Sequence, residues 1–172
     1  MEIDCGSFLL RPLRMADKDS MARYANNYHI WRYVRDRFPH PYSVDDAVAF
    51  LSQREQVVPV TDFCIEYNQE CIGVISMMLQ TDIHRRSAEI GYWLGEPFWG
   101  KGIATTATRN LIPYAFREFD IVRLYAGIIE GNTGSMRVLE KAGFRFDCIF
   151  EQAVFKDNRL CNEHRYSLLK HW

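Results

Sequence analysis

No surplus of positive charge runs through this sequence: 21 Lys and Arg stand against 22 Asp and Glu, for a formal net charge of -1. A protein that grips nucleic acid through its phosphates needs an excess of basic side chains to displace counterions, so no nucleic-acid partner is expected. Long apolar runs are also missing, and none approaches the ~18 residues of a spanning helix. The amino terminus, Met1-Glu2-Ile3-Asp4-Cys5, is acidic and lacks a basic segment followed by an apolar one, so it does not read as a secretory signal. Cysteine is sparse and irregular. Cys5, Cys64, Cys71, Cys148 and Cys161 form an odd set with no C-x-x-C pair, which argues against a disulfide framework and a structural zinc site. Reduced thiols in a cytosol fit instead. The histidines (His29, His40, His84, His164, His171) show no i, i+4 pair, so no metal is expected. These absences lead to a cytoplasmic chain with no membrane partner.

What is present belongs to a folded protein. The 172 residues are 48% hydrophobic and 14% aromatic, enough for a sizeable core in one domain over 1–172. No repeat, low-complexity tract or flexible linker marks a boundary. Phe8 to Leu13 reads as a short first strand closed by Pro12. Asp17 is placed to cap a helix carrying Met21, Tyr24 and Ala25. Arg35 to Tyr42 contains Pro39 and Pro41 and must be a loop. Ser43-Val44-Asp45-Asp46 resembles a capping box, opening a helix with Ala47, Phe50 and Leu51 inward.

From Thr61 the period changes to two. A strand with Phe63, Ile65 and Tyr67, a turn at Asn68-Gln69-Glu70 and a strand from Cys71 to Leu79 follow. Ala88 to Leu94 is the next strand, and Gly102 to Phe119 the next helix, with a kink expected at Pro113. A strand over Val122 to Ile128 precedes a helix over Asn132 to Lys141 that stops at Gly143. Two strands close the chain, Phe144 to Phe155 and Leu160 to Leu169. This order implies a mixed α+β sheet with helices on both faces.

The segment Gly100-Lys101-Gly102-Ile103-Ala104 lies between a strand and a long helix. Glycines let backbone N–H groups approach an anion, and the helix N-terminus adds about half a positive charge. A pyrophosphate is the natural guest, although by itself such a loop is equally a structural turn. It is not a P-loop, because Lys101 is followed by Gly102 where that motif needs Ser or Thr. Nor is it a Rossmann fingerprint: Thr105 fills the third small position, and Asp120 precedes its strand rather than ending it.

The stretch Ala88-Glu89-Ile90-Gly91-Tyr92-Trp93-Leu94 through Trp99-Gly100-Lys101-Gly102-Ile103-Ala104-Thr105 resembles the GNAT acyl-CoA N-acyltransferase superfamily, most closely its RimJ/RimL-type branch. A second motif, Asn132-Thr133-Gly134-Ser135-Met136-Arg137-Val138-Leu139-Glu140-Lys141-Ala142-Gly143-Phe144, resembles the same branch at the right separation. Leu10-Arg11-Pro12-Leu13 and Arg165-Tyr166-Ser167-Leu168-Leu169 extend the likeness over nearly the whole chain. The resemblance implies a mostly antiparallel twisted sheet of about six to seven strands, splayed in the middle, and acetyl-CoA as co-substrate. It further implies pantetheine along the backbone of Tyr92, Trp93 and Leu94, and pyrophosphate on the backbone from Gly100 to Thr105 beside Trp99. Asn132 would touch pantetheine and Lys141 the nucleotide end. Arg35, Phe38, His40 and Tyr42 would border the acceptor. Two departures stand out. Leu139 occupies the place where many relatives carry an acid tyrosine, and Thr106 the place where this branch often has Glu.

Acyl transfer from a thioester to an amine requires a neutral amine, a polarised carbonyl and a stabilised thiolate. A lysine amine has a pKa of about 10.4 and an α-amine one of about 7.7–8, so the latter demands less of a base. Glu89, in an otherwise apolar strand, is the candidate base; the alternative is a solvated carboxylate or a partner of Arg85 or Arg86. Ser135 is the candidate donor to the leaving sulfur, or a first-turn capping serine. The acceptor would be a small-molecule or peptide amine, and the protein a monomer or homodimer. A catalytically silent acyl-CoA sensor is the competing function.

Overall fold

The computed structural model describes residues 1–170. Eight strands follow the hydrogen-bonded order β1-β2-β3-β4-β5-β6-β8-β7, with five α-helices among them. Among the described residues no helix is long and apolar enough to cross a membrane. Backbone proximity divides the described residues into two compact units, one of residues 1–76 with 92–107 and one of residues 77–91 with 108–170.

The first unit holds β1 (Ile3–Asp4), β2 (Leu9–Pro12), α1 (Lys18–Ala25), α2 (Tyr28–Trp31), α3 (Val44–Arg54) and β3 (Asp62–Tyr67). It also takes the start of β4 (Glu70–Leu79) and the end of β5 (Ser87–Leu94). β1, β2, β3 and β4 pair antiparallel in succession. The expected first strand is β2; β1 is added ahead of it, two residues long and too short to show alternation. Asn68 and Gln69, at φ 50° and 65°, make the two-residue turn that suits the twist of an antiparallel hairpin, and Glu70 joins the strand rather than the turn.

The capping box forms as read. Ser43 Oγ accepts from the Asp46 N–H at 3.2 Å, and Asp46 Oδ2 accepts from the Ser43 N–H at 2.8 Å. Ala47 and Leu51 are fully buried in a core with Leu13, Met21, Ala25, Tyr42 and Val74, and Phe50 packs against it.

Asp17 corrects its expected role. It stands at the N-cap of α1 but makes no side-chain cap bond there. Its carboxylate accepts instead from Arg11 Nη1 (2.8 Å), Arg11 Nη2 (2.6 Å) and the Arg14 N–H (2.8 Å). Burial opposes the charge on Arg11, but bonds to Asp17 and Glu66 more than compensate and push its pKa up.

The second unit holds the rest of β4 and β5, most of α4 (Ile103–Glu118), β6 (Arg123–Ile129), α5 (Thr133–Lys141), β7 (Arg145–Lys156) and β8 (Arg159–Leu169). α4 continues through Pro113. β5 runs parallel to β6 over Ser87, Ala88 and Glu89, and the ladder ends there. β6 pairs antiparallel with β8 along its whole length, and β8 with β7. Alternation divides β6 cleanly: Leu124, Ala126 and Ile128 are buried, which leaves Arg123, Tyr125, Gly127 and Ile129 on the opposite face. Gly143, at φ +96°, ends α5 as a left-handed cap.

Candidate active site

In the first unit the glycine segment hangs from the end of β5. The Gly95 N–H donates to the Ile72 carbonyl at 2.8 Å, and a Cβ on Gly73 would lie 2.4 Å from the Trp93 carbonyl oxygen. β4 and the end of β5 therefore approach closely only because position 73 has no side chain. Past Gly95, a single 3-10 turn, Glu96–Phe98, turns the chain. Glu96 accepts from Asn27 Nδ2 at 2.5 Å and lies 3.2 Å from His29 Nδ1; the Asn27 bond, then the His29 contact, lower its pKa. Phe98 packs edge-on against Tyr24 and Tyr67. Trp99 Nε1 donates to the Leu94 carbonyl at 2.6 Å, tying the half-exposed indole back over the strand end.

Gly100 and Gly102 both adopt left-handed backbone, at φ +74° and +76°, and no atom lies within 4 Å of where their Cβ atoms would be. The open side of the loop is thus bare backbone, followed directly by the first turn of α4 at Ile103, Ala104 and Thr105. Lys101 Nζ lies 5.5 Å from the Phe98 ring centroid. An exposed glycine loop, a helix N-terminus and the lysine between the glycines are a donor set suited to a pyrophosphate.

Of the four residues expected at the acceptor, Phe38 and Tyr42 lie together, ring centroids 4.7 Å apart, and Phe38 also packs on Trp93 at 5.9 Å. His40 turns to a separate cluster, stacked on Trp31 at 5.6 Å and beside Tyr28 at 6.1 Å. Arg35 is exposed, its carbonyl accepting from the Phe38 N–H at 2.9 Å. Burial, with smaller contributions from Asp46 and Cys71, raises the Tyr42 hydroxyl pKa to about 12.

In the second unit Asn132 is the N-cap of α5, its Oδ1 accepting from the Ser135 N–H at 3.3 Å. Asn132 is therefore the capping side chain, and Ser135 is the capped residue. Lys141 is exposed, and its carbonyl accepts from Arg109 Nε at 2.9 Å. Leu139 is fully buried. Glu89 is half-buried on β5 and sits in register with Tyr125 of β6. Of its two suggested cationic partners, Arg86 pairs with Asp120 at 2.8 Å and Arg85 donates to the Asp82 carbonyl.

The face of β6 that carries Tyr125 also lines a cavity of about 400 Å³, bordered by Ser87, Arg123, Tyr125, Asp147, Phe150 and Arg165. Arg123 Nη2 pairs with Asp147 Oδ2 at 3.0 Å, and Arg165 Nε with Glu163 Oε2 at 2.6 Å.

A family model described as an acetyltransferase (GNAT) domain matches residues 7–145. The chain belongs to that family. Among its relatives, the probable N-acetyltransferase YjcK of Bacillus subtilis (strain 168) is 42% identical over 94 residues, 55% of this chain and 51% of YjcK. The match thus spans about half of that relative. The spermidine N(1)-acetyltransferase of Escherichia coli (strain K12) is 25% identical over 173 residues, covering 96% of this chain and 87% of that one. The structure of Mycobacterium smegmatis RimJ in complex with CoA-disulfide superposes with a TM-score of 0.84 at 24% identity, covering 97% of this chain and 84% of RimJ. At that identity the likeness is one of fold.

Within this GNAT chain Arg165 is the one of these cavity residues that falls in a motif noted in the sequence, the closing Arg165-Tyr166-Ser167-Leu168-Leu169. The cavity residues come from β5, β6, β7 and β8, and only their register brings them together. The alternation Arg123, Tyr125, Gly127 along β6 and Glu163, Arg165, Ser167 along β8 is the one signal in the sequence that points to a shared polar face.

Proposed function

We propose that this chain, as a single N-acetyltransferase domain over residues 1–172, transfers the acetyl group of acetyl-CoA to a primary amine. The acceptor would be a protein N-terminus, a polyamine, an amino acid or another small amine. The carrying observation is the paired left-handed glycines Gly100 and Gly102 with no atom within 4 Å of where their Cβ atoms would be, at the start of a 16-residue helix. Gly100 to Thr105 would hold the coenzyme's pyrophosphate through backbone N–H groups, with Trp99 and Lys101 alongside. The backbone of Tyr92 to Leu94, Asn132 and Lys141 would hold the rest of the co-substrate, which supplies the activated thioester.

In this reading the acceptor nitrogen attacks the thioester carbonyl, an N–C bond forms and the C–S bond breaks. Glu89 takes the proton the amine loses. Ser135 gives a proton to the departing sulfur and regains one from solvent. The family's acid tyrosine has no counterpart in Leu139, a buried hydrocarbon, so Ser135 is the only hydroxyl proposed for that step.

The test is thiol release from acetyl-CoA against a panel of amines and N-terminal peptides, alongside thermal shifts with coenzyme A. A coenzyme shift with turnover, and turnover reduced about 100-fold in Glu89→Gln, establishes the reading. A shift without turnover on any acceptor favours the silent acyl-CoA sensor. No shift overturns the coenzyme site.

A further inference from the structure

The cavity beside Glu89 has a chemistry of its own. Two guanidinium groups converge on the ring of Tyr125: Arg123 lies 5.0 Å from its centroid and Arg165 5.7 Å. Arg165 also lies 4.8 Å from the centre of Phe150, so its guanidinium is close to two aromatic rings. Bringing two cations to one ring is unfavourable in itself. It is sustained here by one carboxylate each, Asp147 for Arg123 and Glu163 for Arg165.

Both carboxylates are in turn fixed. Ser167 Oγ donates to Asp147 Oδ1 at 2.8 Å, and the Glu163 carboxylate lies against the bare backbone of Gly127. A guanidinium offers five donors in a rigid fork. Glu163 approaches Arg165 at Nε, and Asp147 approaches Arg123 at one Nη, so each fork keeps further donors for a guest. Ser87 lines the same cavity, and Glu89 lies two residues along β5 on the same face, in register with Tyr125.

We infer that this cavity seats a carboxylate of the amine acceptor, held by Arg123 and Arg165 against Tyr125 and Phe150. The acceptor is then an amine with a carboxylate close by, either the α-carboxylate of a free amino acid or an acidic side chain next to a peptide's N-terminus. A polyamine is not the acceptor expected, because it carries no carboxylate for the two guanidinium forks to hold. The inference deepens the acetyl-transfer reading and rests on it for the word acceptor; the anion site itself does not depend on it.

The experiment has two arms on the full chain. In the first, N-acetyl-L-aspartate and the uncharged N-acetyl-L-alaninamide are titrated calorimetrically into wild type, Arg165→Gln and Arg123→Gln. The acidic probe should bind wild type at least about tenfold more tightly than the neutral one, and each variant should erase about that preference. Arg123, in the more exposed pair, keeps the test valid should Arg165→Gln fold poorly. In the second arm kcat/KM is compared for L-aspartate, an Ala-Asp peptide amide, an Ala-Ala peptide amide and spermidine. The two carboxylate acceptors should lead, the ratio between them showing whether the free amino acid or the peptide is preferred, and the lead should vanish in Arg165→Gln. Equal binding of both probes, or spermidine or Ala-Ala amide leading with no change in either variant, overturns the inference. Probe binding that depends on both arginines without turnover on any acceptor upholds the anion site and defeats the acetyl-transfer reading instead.

Discussion

The carboxylate of Glu163 lies so close over Gly127 that a Cβ on that glycine would come 2.3 Å from Oε1 and 2.6 Å from Cδ. The two residues sit on neighbouring antiparallel strands, Gly127 opposite Arg165 and Ile129 opposite Glu163. The absent side chain is what lets Glu163 lie flat and reach Arg165. Gly127→Ala should therefore displace the end of a flexible side chain rather than backbone, at a cost to stability of about 1 kcal/mol. The larger effect should be on acceptor use: with Glu163 moved off Nε, Arg165 loses its fixed orientation, and KM for the acceptor should rise several-fold while KM for acetyl-CoA holds. Steady-state kinetics with each substrate varied in turn checks this, and equal changes in both constants would refute it.

Gly100 and Gly102 make a different kind of demand. Their Cβ positions are open, so alanine there meets no atom; the obstacle is the left-handed backbone at φ +74° and +76°. An L side chain in that region costs about 1–2 kcal/mol, and the loop can escape the cost by changing conformation. Gly100→Ala and Gly102→Ala should each raise KM for acetyl-CoA about tenfold and shrink the thermal shift given by coenzyme A. Melting without coenzyme should fall only slightly. A coenzyme shift left intact in both variants would show that the loop conformation does not serve binding.

Much of this architecture is local and was therefore legible. The Ser43–Asp46 capping box, the turn after Tyr67 (read through Glu70 and in fact ending at Gln69) and the left-handed stop at Gly143 each depend on residues within a few positions of one another. So does the glycine segment between β5 and α4. What could not be read is what depends on distant partners. Asp17 has the right type and place for a helix cap, but Arg11 and the Arg14 N–H claim its carboxylate first. Strand β1 and the single-turn helix α2 are too short for any period to register. The convergence of Arg123 and Arg165 on Tyr125 needs the β6–β8 register, which no pattern in either strand states alone.

Tyr42 gives a pH test with a definite sign. Its hydroxyl is buried in the first unit's core, and burial lifts its pKa to about 12 from an ordinary value near 10. Above the unfolded-state pKa the unfolded chain has released this proton while the folded chain still holds it, so stability falls as pH rises between about 10 and 12. Below about pH 10 both states hold the proton and the contribution is level. Tyr42→Phe has no proton to lose, so its melting temperature should fall less steeply than wild type's across that window. Parallel slopes would mean that the hydroxyl ionises as readily folded as unfolded.

The buried ion pair between Arg11 and Asp17 supports the most severe stability prediction. The two residues are only 3% and 5% exposed, and Glu66 adds a second carboxylate to the same guanidinium. Such a pair has already lost its hydration on folding, so what matters is not its net worth but the cost of leaving one partner behind. Asp17→Asn keeps the shape and removes the charge; it also weakens the acceptor that holds the Arg14 N–H at 2.8 Å. The expected loss is about 3–5 kcal/mol, on the order of 10 °C in melting temperature for a chain of this size. Replacing both members, Arg11→Met with Asp17→Leu, should cost less than the two single changes together, because neither of these two buried charges is left without the other and Glu66, the remaining carboxylate, is partly exposed. Chemical denaturation of the four proteins measures the difference, and strict additivity would show that the two groups do not depend on each other.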